Sequence, residues 1–165
     1  MTATIRGFEP LYIQRIAQLT NKSNQFNLTT LRCSEDDIRA MAADADALCL
    51  CGKLVDKFGD NGIVTVVAGK RQGELLDLTL WLMSCRVLER GMEDAMMDTL
   101  MAQAAAAGVK TVVGHYYPTA KNAMVRDFYA QFGFAKTAED AEGNTEWRLE
   151  VSGYEPKHPH MKIER

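Results

Sequence analysis

The chain has 165 residues and a mass of 18.4 kDa, enough for one domain that folds without a metal or disulfide staple. Its 19 basic and 22 acidic residues leave a net charge of −3, which argues against a protein that neutralises many nucleic-acid phosphates and against a basic membrane-surface helix. No apolar run reaches the roughly 18 residues of a membrane span, and Met1–Gly7 lacks the apolar stretch of a secretory signal.

Thr2–Phe8 predicts a short first strand. Leu11, Ile13, Ile16, Ala17 and Leu19 form a helical face after Pro10. The polar stretch 21–30 reads as a loop. Ser34 with Asp37 three residues on matches a capping box and starts a short helix to about Ala42. Three strand candidates follow: Ala47–Val55, the β-branched Ile63–Ala68, and the alternating Glu74–Ser84. The turn-rich segments 58–62 and 70–73 separate them. Such short turns imply an antiparallel meander. Gly91–Ala107 predicts a helix stopped at Gly108, Val109–Tyr117 a strand, and Asn122–Phe132 a second helix. Strands from Phe134 and over Thr145–Val151 complete a domain of residues 1–152, and 153–165 is expected as an extended or mobile tail.

The four cysteines, Cys33, Cys49, Cys51 and Cys85, show no CxxC spacing. Without a secretory signal they read as reduced thiols of a cytoplasmic protein. No metal site is expected; His158 and His160 lie in the tail without partners.

Two segments carry chemistry. At Ser84–Glu93 a strand runs into a helix, whose unpaired N–H groups and dipole suit a phosphate or pyrophosphate. Arg86 and Arg90 add charge and Gly91 permits close backbone approach. An ordinary helix start explains the same residues. In the second segment, Asn122 lies where a strand meets a helix, and Tyr129 two helical turns on shares its face. Asn122 could donate to a ligand carbonyl and Tyr129 could protonate a leaving group. A helix cap and a core aromatic are the structural alternatives.

In that order and on those elements, the two segments resemble the GNAT acyltransferase superfamily. Its phosphate-loop pattern Q/R-x-x-G-x-G/A falls on Arg86-Val-Leu-Glu89-Arg-Gly91, with Glu89 in place of the first glycine. Its later Asn…Tyr…Gly-Phe pattern falls on Asn122, Tyr129, Gly133 and Phe134. The resemblance runs from about residue 3 to 151. It implies a GNAT fold of the α/β class, a mixed and mostly antiparallel sheet with helices on both faces. A closer likeness is to the C-terminal acyltransferase-like domain of FkbH-type proteins. It is carried by Gln18-Leu-Thr-Asn-Lys-Ser-Asn-Gln-Phe-Asn-Leu-Thr-Thr30, Phe58-Gly-Asp-Asn-Gly62, Trp81-Leu-Met-Ser-Cys-Arg-Val-Leu88 and Tyr117-Pro-Thr-Ala-Lys-Asn122. There the domain follows a phosphatase-like HAD domain and serves an acyl carrier protein.

The resemblance implies acyl transfer from acetyl-CoA, another acyl-CoA or a carrier-protein phosphopantetheine thioester. The arm would slot between the strands ending at Ser84 and near Tyr117, against the backbone of Leu82, Met83 and Ser84. Arg86, Val87, Leu88, Arg90, Gly91 and Met92 would form the phosphate loop, with Asn122 beside the arm. Asn24, Gln25 and Asn27 would line the acceptor side, unless they only close the loop. Tyr129 would be the general acid. His115 is the first candidate for the base and Asp77 the second. Cys85 reads as a packed thiol before an acyl-accepting nucleophile. The other expected function is a non-catalytic module that binds the arm for a separate HAD-type partner, a reading that Glu89 favours.

Overall fold

The computed structural model describes residues 1–88 and 90–165; the expectation placed on Glu89 lies outside the described residues. One eight-stranded sheet runs through the molecule in the order β6-β7-β5-β4-β3-β2-β1-β8. The strands are β1 (Thr2–Arg6), β2 (Ala47–Asp56), β3 (Gly59–Gln72), β4 (Leu75–Met83), β5 (Thr111–Tyr116), β6 (Ala135–Glu139), β7 (Thr145–Glu150) and β8 (Lys162–Glu164). Pairing is antiparallel except at β4–β5 and β1–β8, so the expected mixed, mostly antiparallel sheet is present.

Helices α1 (Ile13–Lys22) and α2 (Glu35–Ala43) cover one face, and α3 (Met92–Ala106) the other. Each has a local cause. A 3-10 turn at Pro10–Tyr12 leads into α1, whose Ile13, Ile16, Ala17 and Leu19 are buried. The Ser34–Asp37 capping box closes reciprocally at the start of α2. Alanine, methionine and leucine favour α3, which buries Met92, Ala95, Met96 and Leu100 among other residues. Two apolar clusters result. Ile16, Ile38, Cys51, Val66 and Leu82 fill the α1–α2 side, while Val64, Val67, Trp81, Met83 and α3 fill the other.

Three segments differ from expectation. β3 is longer, because the β2–β3 hairpin closes at the Asp56–Gly59 pair and draws residues 59–62 into the strand. The helix expected over 122–132 is instead two 3-10 turns, Ala123–Val125 and Tyr129–Phe132. Asn122 does not cap it, and Val125, Phe128, Tyr129 and Phe132 are poor helix formers that all point into the core. The tail beyond 153 returns to the sheet, with β8 parallel to β1. Asp98 of α3 holds it by accepting from the Tyr154 hydroxyl and from the backbone N–H groups of Lys157 and His158.

Candidate active site

Strands β4 and β5 pair only over Leu75–Asp77 and Thr111–Val113. Beyond that vertex they part. Two of the expected catalytic side chains meet there, and the third, Tyr129, packs on the opposite face of β5. His115 Nε2 lies 2.5 Å from Asp77 Oδ1, so the two residues considered as alternative bases form one pair. Tyr129 lies against Gly114, next to His115. A Cβ on that glycine would come within 2.4 Å of the phenol ring, so the ring's seat depends on the missing side chain. Tyr129 is 2% exposed and packs on Phe128, Phe134 and Trp81. Burial pushes its hydroxyl well above the ordinary tyrosine range, and the charge on Asp77 adds to the rise. The rise makes the phenol a weaker acid than an exposed tyrosine.

The gap between the diverging strands is filled by the chain itself. Residues 26–28 lie in it as a short strap. Leu28 N donates to Trp81 O at 3.0 Å, Met83 N to Phe26 O at 3.0 Å, and Tyr117 N to Leu28 O at 2.8 Å. Thr29 Oγ1 donates to Thr79 O. Phe26 and Leu28 are buried on the α3 side, with Phe26 edge-on to Phe128. The expectation that Leu82, Met83 and Ser84 offer backbone to a ligand is thereby corrected. Ser84 N and Leu82 O already bond to β3, and Met83 N is held by the strap.

Asn122 latches the strap rather than facing a ligand. Its Nδ2 donates to Asn27 O and Tyr117 O, both at 2.9 Å, and its Oδ1 accepts from Thr119 N at 2.8 Å and from the Tyr116 hydroxyl at 3.3 Å. A carboxamide has two N–H donors, and both are spent here. Asn27 likewise closes its own loop, through Ser23 O and Thr30 N. Asn24 and Gln25 do line an open cleft.

The phosphate loop is altered too. Gly91 starts α3 with φ of +89°, and Pro159 and Met161 of the tail lie over it, 3.3 and 3.2 Å from where a Cβ would be. Arg90 is spent on Asp56, which it holds below the usual carboxylate range. Val87 and Met92 are core residues, and Leu88 is packed against the core. Arg86 is exposed and has no ion pair among the described residues. Cys85 is exposed, 3.3 Å from Gln25 Oε1, and not a packed thiol as expected.

Sequence reasoning missed Trp81. Its indole N–H is buried without an acceptor among the described residues, on the wall of the same gap. Among those residues no three His, Cys, Asp or Glu side chains converge to hold a metal, and no helix is long and apolar enough to cross a membrane.

No protein-family model matches the sequence, and no curated protein matches it. Solved structures do. Ard1 from Thermoplasma volcanium superposes with a TM-score of 0.72 at 18% identity, over 92% of this chain and 99% of that one. A GNAT-family acetyltransferase from Streptococcus pneumoniae gives 0.68 at 15%, over 90% and 98%. The PaiA N-acetyltransferase from Thermoplasma acidophilum, solved with coenzyme A, gives 0.68 at 13%, over 91% and 99%. At such identities the likeness is one of fold: the chain has the GNAT acetyltransferase fold.

Proposed function

We propose that the protein is a GNAT-type acyltransferase that moves an acyl group from a pantetheine thioester to an acceptor amine or hydroxyl. The observation that carries this reading is the Asp77–His115 pair at the β4–β5 vertex, with Tyr129 behind the same strand against Gly114. Asp77 accepts the Nε2 proton of His115, which leaves Nδ1 as the basic nitrogen for the acceptor's proton. Tyr129, kept neutral by burial, donates to the departing sulfur. The strands diverge beyond the vertex, and farther along β4 the buried Trp81 N–H has no acceptor among the described residues. The donor's arm enters only when the 26–28 strap leaves the β4 edge.

Acyl-CoA is supported as the donor by the GNAT fold and by the coenzyme A in the PaiA structure. The FkbH-like segments support a carrier-protein arm and a HAD-type partner. The four free thiols support a cytoplasmic setting. The second reading, a non-catalytic module that binds the arm, needs neither base nor acid; the strap, the tail over Gly91 and the Arg90–Asp56 pair stand in the donor's way under either reading.

Thiol release from acetyl-CoA, assayed with a panel of amines and alcohols, separates the two. Acyl transfer predicts that His115→Asn and Tyr129→Phe retain saturable acetyl-CoA binding and lose roughly 10²–10⁴-fold in turnover. Binding without turnover in the wild type supports the module instead. Saturable binding of neither acetyl-CoA nor an acetylated carrier protein overturns both.

A further inference from the structure

An open cleft lies on the α1 side of the sheet, at the mouth of the β4–β5 gap rather than at its vertex. It encloses about 670 Å³, within the range of ligand sites. Arg15, Lys22, Arg86 and Lys121 line it, with Ser84 and Asn24, and among the described residues no carboxylate does. Arg15 and Lys22 are seven residues apart and so share one face of α1. Among the described residues none of the four is ion-paired, whereas most of the chain's other lysines and arginines are.

The negative end of α1 would soften this field, but Arg32 cancels it. Its guanidinium donates to Thr20 O, to Ser23 O at 2.8 Å and to Asn24 Oδ1 at 2.7 Å. Four cations around one concavity, none ion-paired among the described residues of a chain of net charge −3, repel one another and focus a positive potential there. Their common complement is a multiply charged anion, for which phosphate is the best match.

The place of the cleft narrows the choice. Along β4 the six residue steps from Asp77 to Met83 span about 20 Å, roughly the reach of an extended phosphopantetheine arm. We infer that this cleft receives the phosphoryl end of the donor's pantetheine arm when the thioester lies at the Asp77–His115 vertex. The inference rests on the acyl-transfer reading for the position of the thioester. It differs from a phosphate seat on the α3 N-terminus, which the tail covers and whose first turn carries Glu93 and Asp94.

The test compares S-acetyl-4′-phosphopantetheine with S-acetylpantetheine, which lacks the phosphate, by titration calorimetry. The wild type is expected to bind the phosphorylated thioester at least about tenfold more tightly, the worth of one charge-assisted hydrogen bond. The preference should weaken as salt rises. In Lys22→Gln/Lys121→Gln, two exposed positions, it should fall below about threefold, with S-acetylpantetheine affinity and the circular dichroism spectrum unchanged. No preference in the wild type, or a preference kept in the double variant, overturns the inference. If the preference is present and lost as expected while no thioester is ever consumed, the cleft stands and acyl transfer falls. Acetyl-CoA binding more tightly than the phosphopantetheine thioester assigns the arm to CoA; equal affinity assigns it to a carrier protein.

Discussion

The side chain of Asn122 makes four hydrogen bonds, one to the strap at Asn27 and three to Tyr116, Tyr117 and Thr119 beyond β5, and so ties the strap to the end of that strand. Asn122→Ala leaves the carbonyls of Asn27 and Tyr117 and the N–H of Thr119 without these partners. We expect a loss of about 1–3 kcal/mol in urea unfolding, with amide exchange at Leu28 and Tyr117 accelerated. Unchanged exchange there would show that the strap is held by other contacts. The residue types at the vertex were legible in the sequence: Asp77, His115 and Tyr129 all appear as candidates for proton chemistry. Their grouping was not, because Asp77 and His115 are 38 residues apart and only the strand register brings them together. The direction in which the carboxamide of Asn122 points was equally hidden, since a cap, a ligand contact and a latch all use the same residue type.

At the level of elements, hydrophobic alternation and turn residues located every strand from β1 to β7. What escaped depended on partners distant in sequence. Phe26-Asn-Leu28 already has a strand's alternation, yet three residues in a polar stretch read as loop until β4 and β5 open to receive them. The 122–132 segment has the apolar spacing of a helix, but its aromatic side chains are spent on Trp81 and the core and its cap on the strap. β8 carries no strong strand pattern of its own, and the exposed edge of β1 together with the Asp98 anchor places it. The outcome is a GNAT architecture whose gap is bridged by a local strap and whose α3 N-terminus is roofed by the tail. The tail is a peripheral cover, whereas the strap is anchored by the buried Phe26 and Leu28 as well as by hydrogen bonds, so opening it exposes part of the core.

Across the whole molecule, buried acids of weak acidity set the response to pH. Burial pushes Cys49 up to about 11 and Cys51 up to about 12, and the hydroxyls of Tyr129 and Tyr154 are also raised. The unfolded chain loses these protons first, from about pH 8.5 for the thiols. Above that value it binds fewer protons than the folded chain, so stability falls as pH rises. The urea midpoint should be higher at pH 7.5 than at pH 10.5. Each fully protected thiol contributes up to about 1.4 kcal/mol per pH unit. A flat profile would mean that the thiols are reached by water.

Hydrogen exchange with and without acetyl-CoA is the direct test of the proposal that the β4–β5 gap is a donor slot closed by a displaceable strap. Saturable binding should release the strap, so that the Leu28 and Tyr117 amides exchange faster in the complex. Saturable binding that leaves both amides as slow as in the free protein, or no binding at millimolar acetyl-CoA, contradicts it.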